Sequence, residues 1–292
     1  MNAIDLATKS SATILPVVPS KPIESVATQV IWMLAHREWV RFFRQPFRVI
    51  AALGQPILFW ILFGTGMHSA FRGGGQANDF MTYFLPGTTA MILLFTAIFA
   101  TISIIEDRRE GFLQSVLVAP SPRWTIAMGK VLGGSAIAWV QAIVFVAIAL
   151  ATGMISLGPQ TIALVGFMLV AAIAMTSLGV CFAWPMDSTQ GFHALMNMVL
   201  MPMWLLSGSF FPIPSLAGGE PVGQFAMHWI MRCNPMTYAV SGMRQLMSSV
   251  ASDDHFWMPS LTTSVLVTIA FAIVTSVAAT IVERRNQSGE LQ

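Results

Sequence analysis

The 292 residues are 55% hydrophobic and 10% charged, where ordinary soluble domains carry roughly 25% charged residues. With several apolar runs near or above twenty residues, this composition excludes a soluble globular domain and points to an all-α polytopic membrane protein. The net charge of +2 implies no nucleic acid, because in membrane chains the placement of Lys and Arg matters more than their sum.

Residues 1–23 read as a disordered cytoplasmic tail; the apolar patch around Pro16 is short, and no cleavable signal peptide is expected. Over 24–45, Arg37, Arg41 and Arg44 recur at steps of four and three, while Val26, Val30, Ile31, Leu34, Trp39, Phe42 and Phe43 supply apolar surface. The pattern predicts an amphipathic interfacial helix with its arginines toward lipid phosphates, the plainer alternative being a positive flank to the first span.

The region 46–285 divides into six transmembrane helices at about 47–67, 80–105, 126–155, 161–184, 191–211 and 261–282. Pro56 is expected to kink the first, and Pro86-Gly87 to open the second with a bent or re-entrant segment. At the start of the third, Lys130 is expected to snorkel, and Gly129 with Gly133 form a small-xxx-small pair that permits close helix contact. Residues 212–258 combine Pro212, Pro214, Gly218 and Gly219 with two short helical segments, and are read as outer re-entrant helices. Cys181 and Cys233 have no metal-ligand spacing and no disulfide is expected. Residues 286–292 form a second cytoplasmic tail. With both termini and the loop 106–123 inside, only Arg72, Arg232 and Arg244 of the 15 Lys and Arg lie outside.

No Asp or Glu stands near the middle of a span; span polarity is limited to Gln55, Gln141, Asn197, hydroxyls and His193. An ion-coupled carrier normally needs a buried ionisable site, so energy is expected from elsewhere. No G-x-x-x-x-G-K-[ST], H-E-x-x-H or C-x-x-C occurs, so no catalytic residue, metal or bound cofactor is expected in this chain. Asp253, Asp254 and His255 could ligate a metal but fit a solvated turn better. His193 and Asn197, spaced i and i+4, form with Gln55 a possible substrate path; helix-to-helix hydrogen bonding is the alternative.

In the loop 106–123, Phe112, Leu113, Val116 and Leu117 share one helical arc while Asp107, Glu110 and Gln114 share another, and Pro120 and Pro122 stop the helix. This predicts a short amphipathic helix at the cytoplasmic surface, lying on lipid or seated against a protein. Glu106, Asp107 and Glu110 suit an anionic leaflet poorly and favour the protein.

The run YFLPGTTAMILLFTAIFATISIIEDRREGFLQSVLVAPSPRWTIAMGKVLG, together with MPMWLLSGSFFPIPSL and NPMTYAVSGMRQL, resembles type-2 ABC exporter permeases of the drug-resistance and polysaccharide or lipo-oligosaccharide export class. The resemblance implies a six-span subunit in the cell (inner) membrane, paired with a second permease copy as a homodimer. It also implies a separate ATP-binding cassette subunit that carries ATP and Mg, so that this chain is a transport subunit and not an enzyme. On that basis Arg108, Glu110, Gly111, Phe112, Leu113 and Val116 would form a coupling helix on the ATPase, with Arg37, Arg41 and Arg44 as a second contact. Asn234, Pro235, Thr237 and Tyr238 would belong to the outer gate. The segment AGGEPVGQFAMHWIMRC departs from the family pattern in its length and glycine content. The implied function is export of an amphipathic drug, lipid or lipid-linked glycan from the cytoplasm or inner leaflet; the alternative is a membrane scaffold or assembly factor that transports nothing.

Overall fold

In the computed structural model the described residues are 23–66, 80–112, 116, 122–216, 221–247 and 256–289. The expected N-terminal tail, Leu113 and the Asp253-Asp254-His255 group lie outside them. The helices are α1 (Ile23–Phe43), α2 (Pro46–Gly66), α3 (Phe80–Arg109), α4 (Trp124–Ala151), α5 (Pro159–Ala183), α6 (Thr189–Trp204), α7 (Val222–Cys233), α8 (Pro235–Met247) and α9 (Leu261–Gly289). Among the described residues there is no strand, only an isolated bridge between Pro214 and Phe256.

Local chemistry sets several boundaries. Pro159 starts α5 at a position whose N–H would be unused, and Ser188 Oγ accepts from Gly191 N at 3.0 Å to cap α6. Gly111 (φ 74°) and Gly153 (φ 75°) end α3 and α4 in the left-handed region that a glycine adopts without strain. Because Glu106–Arg109 are the last turn of α3, the expected loop helix does not begin at 106; polar residues extend an established helix past its apolar run.

Among the described residues, five helices are long and apolar enough to cross a membrane: α2, α3, α4, α5 and α9 over Leu261–Arg285. α3 is the axis, buried on almost every side and packed by α2, α4, α5, α6 and α8, whereas α2 and α9 are peripheral. Contrary to the expected bent or re-entrant start, α3 runs unbroken through Pro86 and Gly87. Trp204 Nε1 donates to the Gly87 carbonyl at 2.8 Å, and a side chain at Gly87 would meet Ser209 Cβ at 2.6 Å. The unbroken course of the helix thus rests on a neighbour that packs against the glycine.

The segment expected as a fifth span is a 16-residue helix, α6, followed by a five-residue π turn, Leu205–Ser209. Pro202 removes one backbone donor, and Gly208 at φ 81° takes the chain out of helical geometry. In 212–258 the two short helices are α7 and α8; α8 is inserted between neighbours, with Met236, Val240 and Met243 fully buried.

α1 buries part of its apolar surface within the chain. Ala27, Leu34 and Phe42 are buried as the helix packs on α4. A Cβ on Gly129 would lie 2.8 Å from Leu34 Cβ, and one on Gly133 would lie 3.0 Å from Ala35 Cα. The small-xxx-small pair therefore seats α1 within the same chain. Gly133→Leu is expected to destabilise the purified protein by about 1–3 kcal/mol through overpacking, while Gly166→Leu, in open space, leaves the thermal midpoint unchanged.

Candidate functional site

The last turn of α3 carries a charge cluster. Asp107, fully buried, accepts from Arg37 Nη1 and Nη2 at 2.9 and 2.8 Å, from Arg41 Nη1 at 2.6 Å, and from Lys130 Nζ. Glu106 accepts from Arg41 Nη2 at 2.7 Å and Arg48 Nη2 at 3.0 Å. Lys130 also donates to buried Glu38 and to Ser103 Oγ at 3.2 Å. Burial alone would lower the Arg37 pKa, but its hydrogen bond to Asp107 and the nearby carboxylate charges leave it raised.

Three expectations are corrected here. Lys130 does not snorkel, because Glu38 and Asp107 meet it in the interior. Arg37 and Arg41 turn inward to carboxylates instead of outward to lipid phosphates. Glu106 and Asp107 are not displayed for a partner protein, since the chain's own cations occupy them.

The loop root is tied down from several sides. The Arg37 guanidinium lies 3.7 Å above the Phe112 ring, and Glu110, mostly exposed, stands 3.7 Å from Arg41. Arg108 donates to the Trp184 and Met186 carbonyls and Arg109 to the Asp187 carbonyl, so both hold the hairpin between α5 and α6. Val116 is helical and buried. Glu283, with no exposed surface, accepts from Ala127 N at 3.3 Å in the first turn of α4, where the helix dipole favours a carboxylate. That carboxylate was not singled out from sequence; its only signal was an acidic residue closing an apolar run.

Further along, a cleft of about 400 Å³ is lined by Gln55 of α2, Phe95, Ile98 and Phe99 of α3, and His193, Met196, Asn197 and Met201 of α6. The structure thus brings Gln55, His193 and Asn197 to one place. The His193 ring lies 6.4 Å from Phe99 in an edge-on arrangement. Gln141, by contrast, is spent within the bundle, accepting from Thr96 Oγ1.

At the other end, Asn234 forms a corner. Its Oδ1 accepts from Met236 N at 3.0 Å, capping α8, and its Nδ2 donates to the Met203 carbonyl at 2.6 Å. Pro235 begins α8, Thr237 Oγ1 donates to the Met231 carbonyl at 2.6 Å, and Tyr238 OH to the Arg232 carbonyl at 2.9 Å. The carbonyl of Gly208 accepts from Arg244 Nη2 at 2.8 Å and Tyr83 OH at 3.2 Å, with Arg244 stacked 4.2 Å over the Tyr83 ring. Arg244 and Tyr83 were not foreseen, because only the fold brings them to the π turn.

A family model described as ABC-2 type transporter matches residues 29–248, which include the charge cluster, the cleft and the Asn234 corner. The chain belongs to the ABC-2 type transporter family. This ABC-2 permease is 26% identical over 264 residues to a transport permease, ycf38, of Cyanophora paradoxa, covering 84% of this chain and 86% of that one. It is 23% identical over 240 residues to the daunorubicin resistance ABC transporter permease protein DrrB1 of Streptomyces coeruleorubidus, with 79% of each chain covered. A multidrug ABC transporter permease, YbhR, of Escherichia coli K12 is 24% identical over 180 residues, 61% of this chain and 47% of its own length. The protein is accordingly a multi-pass membrane permease, and its family implies an ABC ATPase as partner.

Asp107→Ala leaves Arg37, Arg41 and Lys130 short of their shared acceptor inside the permease. Loss of one member of a buried ion group costs about 3–5 kcal/mol, so the detergent-solubilised variant is expected to melt well below the parent, with Asp107→Asn between the two.

Proposed function

We propose that this chain is the permease subunit of an ATP-driven exporter, with two copies assembled on ATP-binding cassette subunits that dock beneath the loop around Gly111. In this reading both termini are cytoplasmic, the membrane is the cell (inner) membrane, and α6 with its π turn serves as the sixth membrane crossing. α7 and α8 form the outer, re-entrant part of the gate.

One observation carries the proposal: the helix that bears the charge cluster also lines the cleft. Asp107 and Phe99 are eight residues apart on α3, about 12 Å at 1.5 Å per residue. A push on the loop reaches α3 directly through Gly111 and reaches α1 and α4 through the ion pairs of Glu106 and Asp107. The helices move as one body, and the cleft wall moves with them. Nucleotide can drive this only if the docked ATPase contacts the two states differently, so the exposed Glu110 and the loop beyond it form the changing surface. Arg37 and Arg41 then transmit force internally, and their role as a direct ATPase contact falls to the loop.

The cleft suits an amphipathic substrate. Phenylalanines and methionines supply a polarizable, adaptable wall, while Gln55, His193 and Asn197 offer hydrogen bonds without a carboxylate. The relatives named for multidrug transport and daunorubicin resistance support an amphipathic drug or lipid as cargo.

Gly111→Pro tests the coupling step, since proline is fixed near φ −65° and position 111 sits at φ 74°. The variant is expected to insert and express normally, yet lose nucleotide-dependent substrate movement in proteoliposomes containing the ATPase. Undiminished transport at normal expression would remove the loop from the mechanism.

A further inference from the structure

We infer that the cleft beside Arg44 binds the phosphate of an anionic phospholipid headgroup. The cleft, about 610 Å³, is lined by His36, Arg37, Arg41, Arg44, Gln45 and Glu110 where α1 meets the start of α2. The inference rests on the reading that places this end of the molecule at the cytoplasmic membrane surface.

The charge balance singles out Arg44. Of the arginines that line the cleft, Arg37 and Arg41 are joined with Arg48 and Lys130 to the carboxylates Glu38, Glu106, Asp107 and Glu110. These four cations and four carboxylates form one connected network. Arg44 stands outside it: the side chain is exposed and makes no ion pair with a described residue. Arg44 is therefore the arginine of the cleft lining that has no carboxylate, and a monoanion would neutralise it.

The surroundings favour a lipid over a soluble anion. Phe43 and Phe47 flank Arg44 in sequence and are 44% and 86% exposed, and Trp32 and Met33 are exposed further along α1. Acyl chains would cover such a stripe, whereas a free anion leaves it bare. α2, the first membrane-length helix, starts two residues after Arg44, which sets the guanidinium at headgroup depth. Glu110 on the opposite rim penalises multiply charged anions, so a phosphodiester with one charge fits better than free phosphate.

The test uses the full-length permease in nanodiscs of phosphatidylcholine with graded phosphatidylglycerol, and counts retained phosphatidylglycerol by native mass spectrometry. Arg44→Gln is expected to raise the phosphatidylglycerol fraction for half-occupancy about fivefold, equivalent to about 1 kcal/mol for one cation at an anionic surface; Arg44→Lys stays within about twofold. Unchanged retention by Arg44→Gln overturns the inference, as does an equal loss in Arg285→Gln, which would mean unspecific surface charge. Displacement by equimolar inorganic phosphate would make the cleft a free-anion site. Loss of a co-purified ATP-binding subunit from Arg44→Gln, with lipid retention intact, would make it a protein dock. Retention is read on the permease without its ATPase, so a failure of ATP coupling leaves this result standing.

Discussion

The charge cluster at the end of α3 depends on one buried carboxylate. Asp107 has no exposed surface, yet it holds Arg37, Arg41 and Lys130 at once. A carboxylate in that setting is tolerable only because every one of its lone pairs meets a cationic donor. The same density of charge explains why α1 folds against α4. Leu34 and Phe42 supply apolar contact, Gly129 and Gly133 allow the approach, and the ion pairs fix the register. Apolar surface alone would let α1 slide along its axis; a bidentate arginine on a fixed carboxylate does not.

α3 joins this cluster to the rest of the bundle through a different set of forces. Along its middle the neighbours are held by packing and by indole donors that reach across to backbone carbonyls. Trp60 bonds to Met81 at 3.0 Å and Trp204 to Gly87 at 2.8 Å, each linking another helix to α3. Between α3 and α5, Gly179 faces Thr101 so closely that a Cβ would lie 2.9 Å from its hydroxyl. Small residues and polar donors of this kind are what association in lipid requires, because apolar surface gains little by leaving an apolar solvent.

The long apolar runs made α2, α4 and α5 legible to within a few residues, and α3 and α9 extend past the expected spans at their polar ends. His193 and Asn197 could be placed on one face from their spacing, and Asn234 with Pro235 marked the α7–α8 corner. What sequence could not supply was the direction of the charges. Helical periodicity put Arg37 and Arg41 on a common face, but not toward a carboxylate 70 positions away. An arginine beside an apolar run looks the same whether it meets lipid phosphate or an aspartate, and only tertiary packing separates the two. Likewise the run 191–211 reads as one apolar span, and the donors from Tyr83 and Arg244 to Gly208 come from chain segments more than thirty residues away.

The two ends of the molecule are consequently held by unlike means. At the Asp107 end, charged groups in a connected network bind four helices, α1 to α4. At the other end, α6 is fixed by hydrogen bonds to carbonyls: Asn234 to Met203, Arg244 and Tyr83 to Gly208. A carbonyl can exchange one donor for another, or for water, at a cost of about 0.5–1.5 kcal/mol per bond, far less than separating a buried ion pair. In a bundle built this way the weaker ties lie where the α6 helix breaks, at Pro202 and Gly208. The cleft containing Gln55, His193 and Asn197 lies between the stiff end and the yielding one. That position lets a displacement applied at Asp107 change the cleft's outer boundary without dismantling its inner wall.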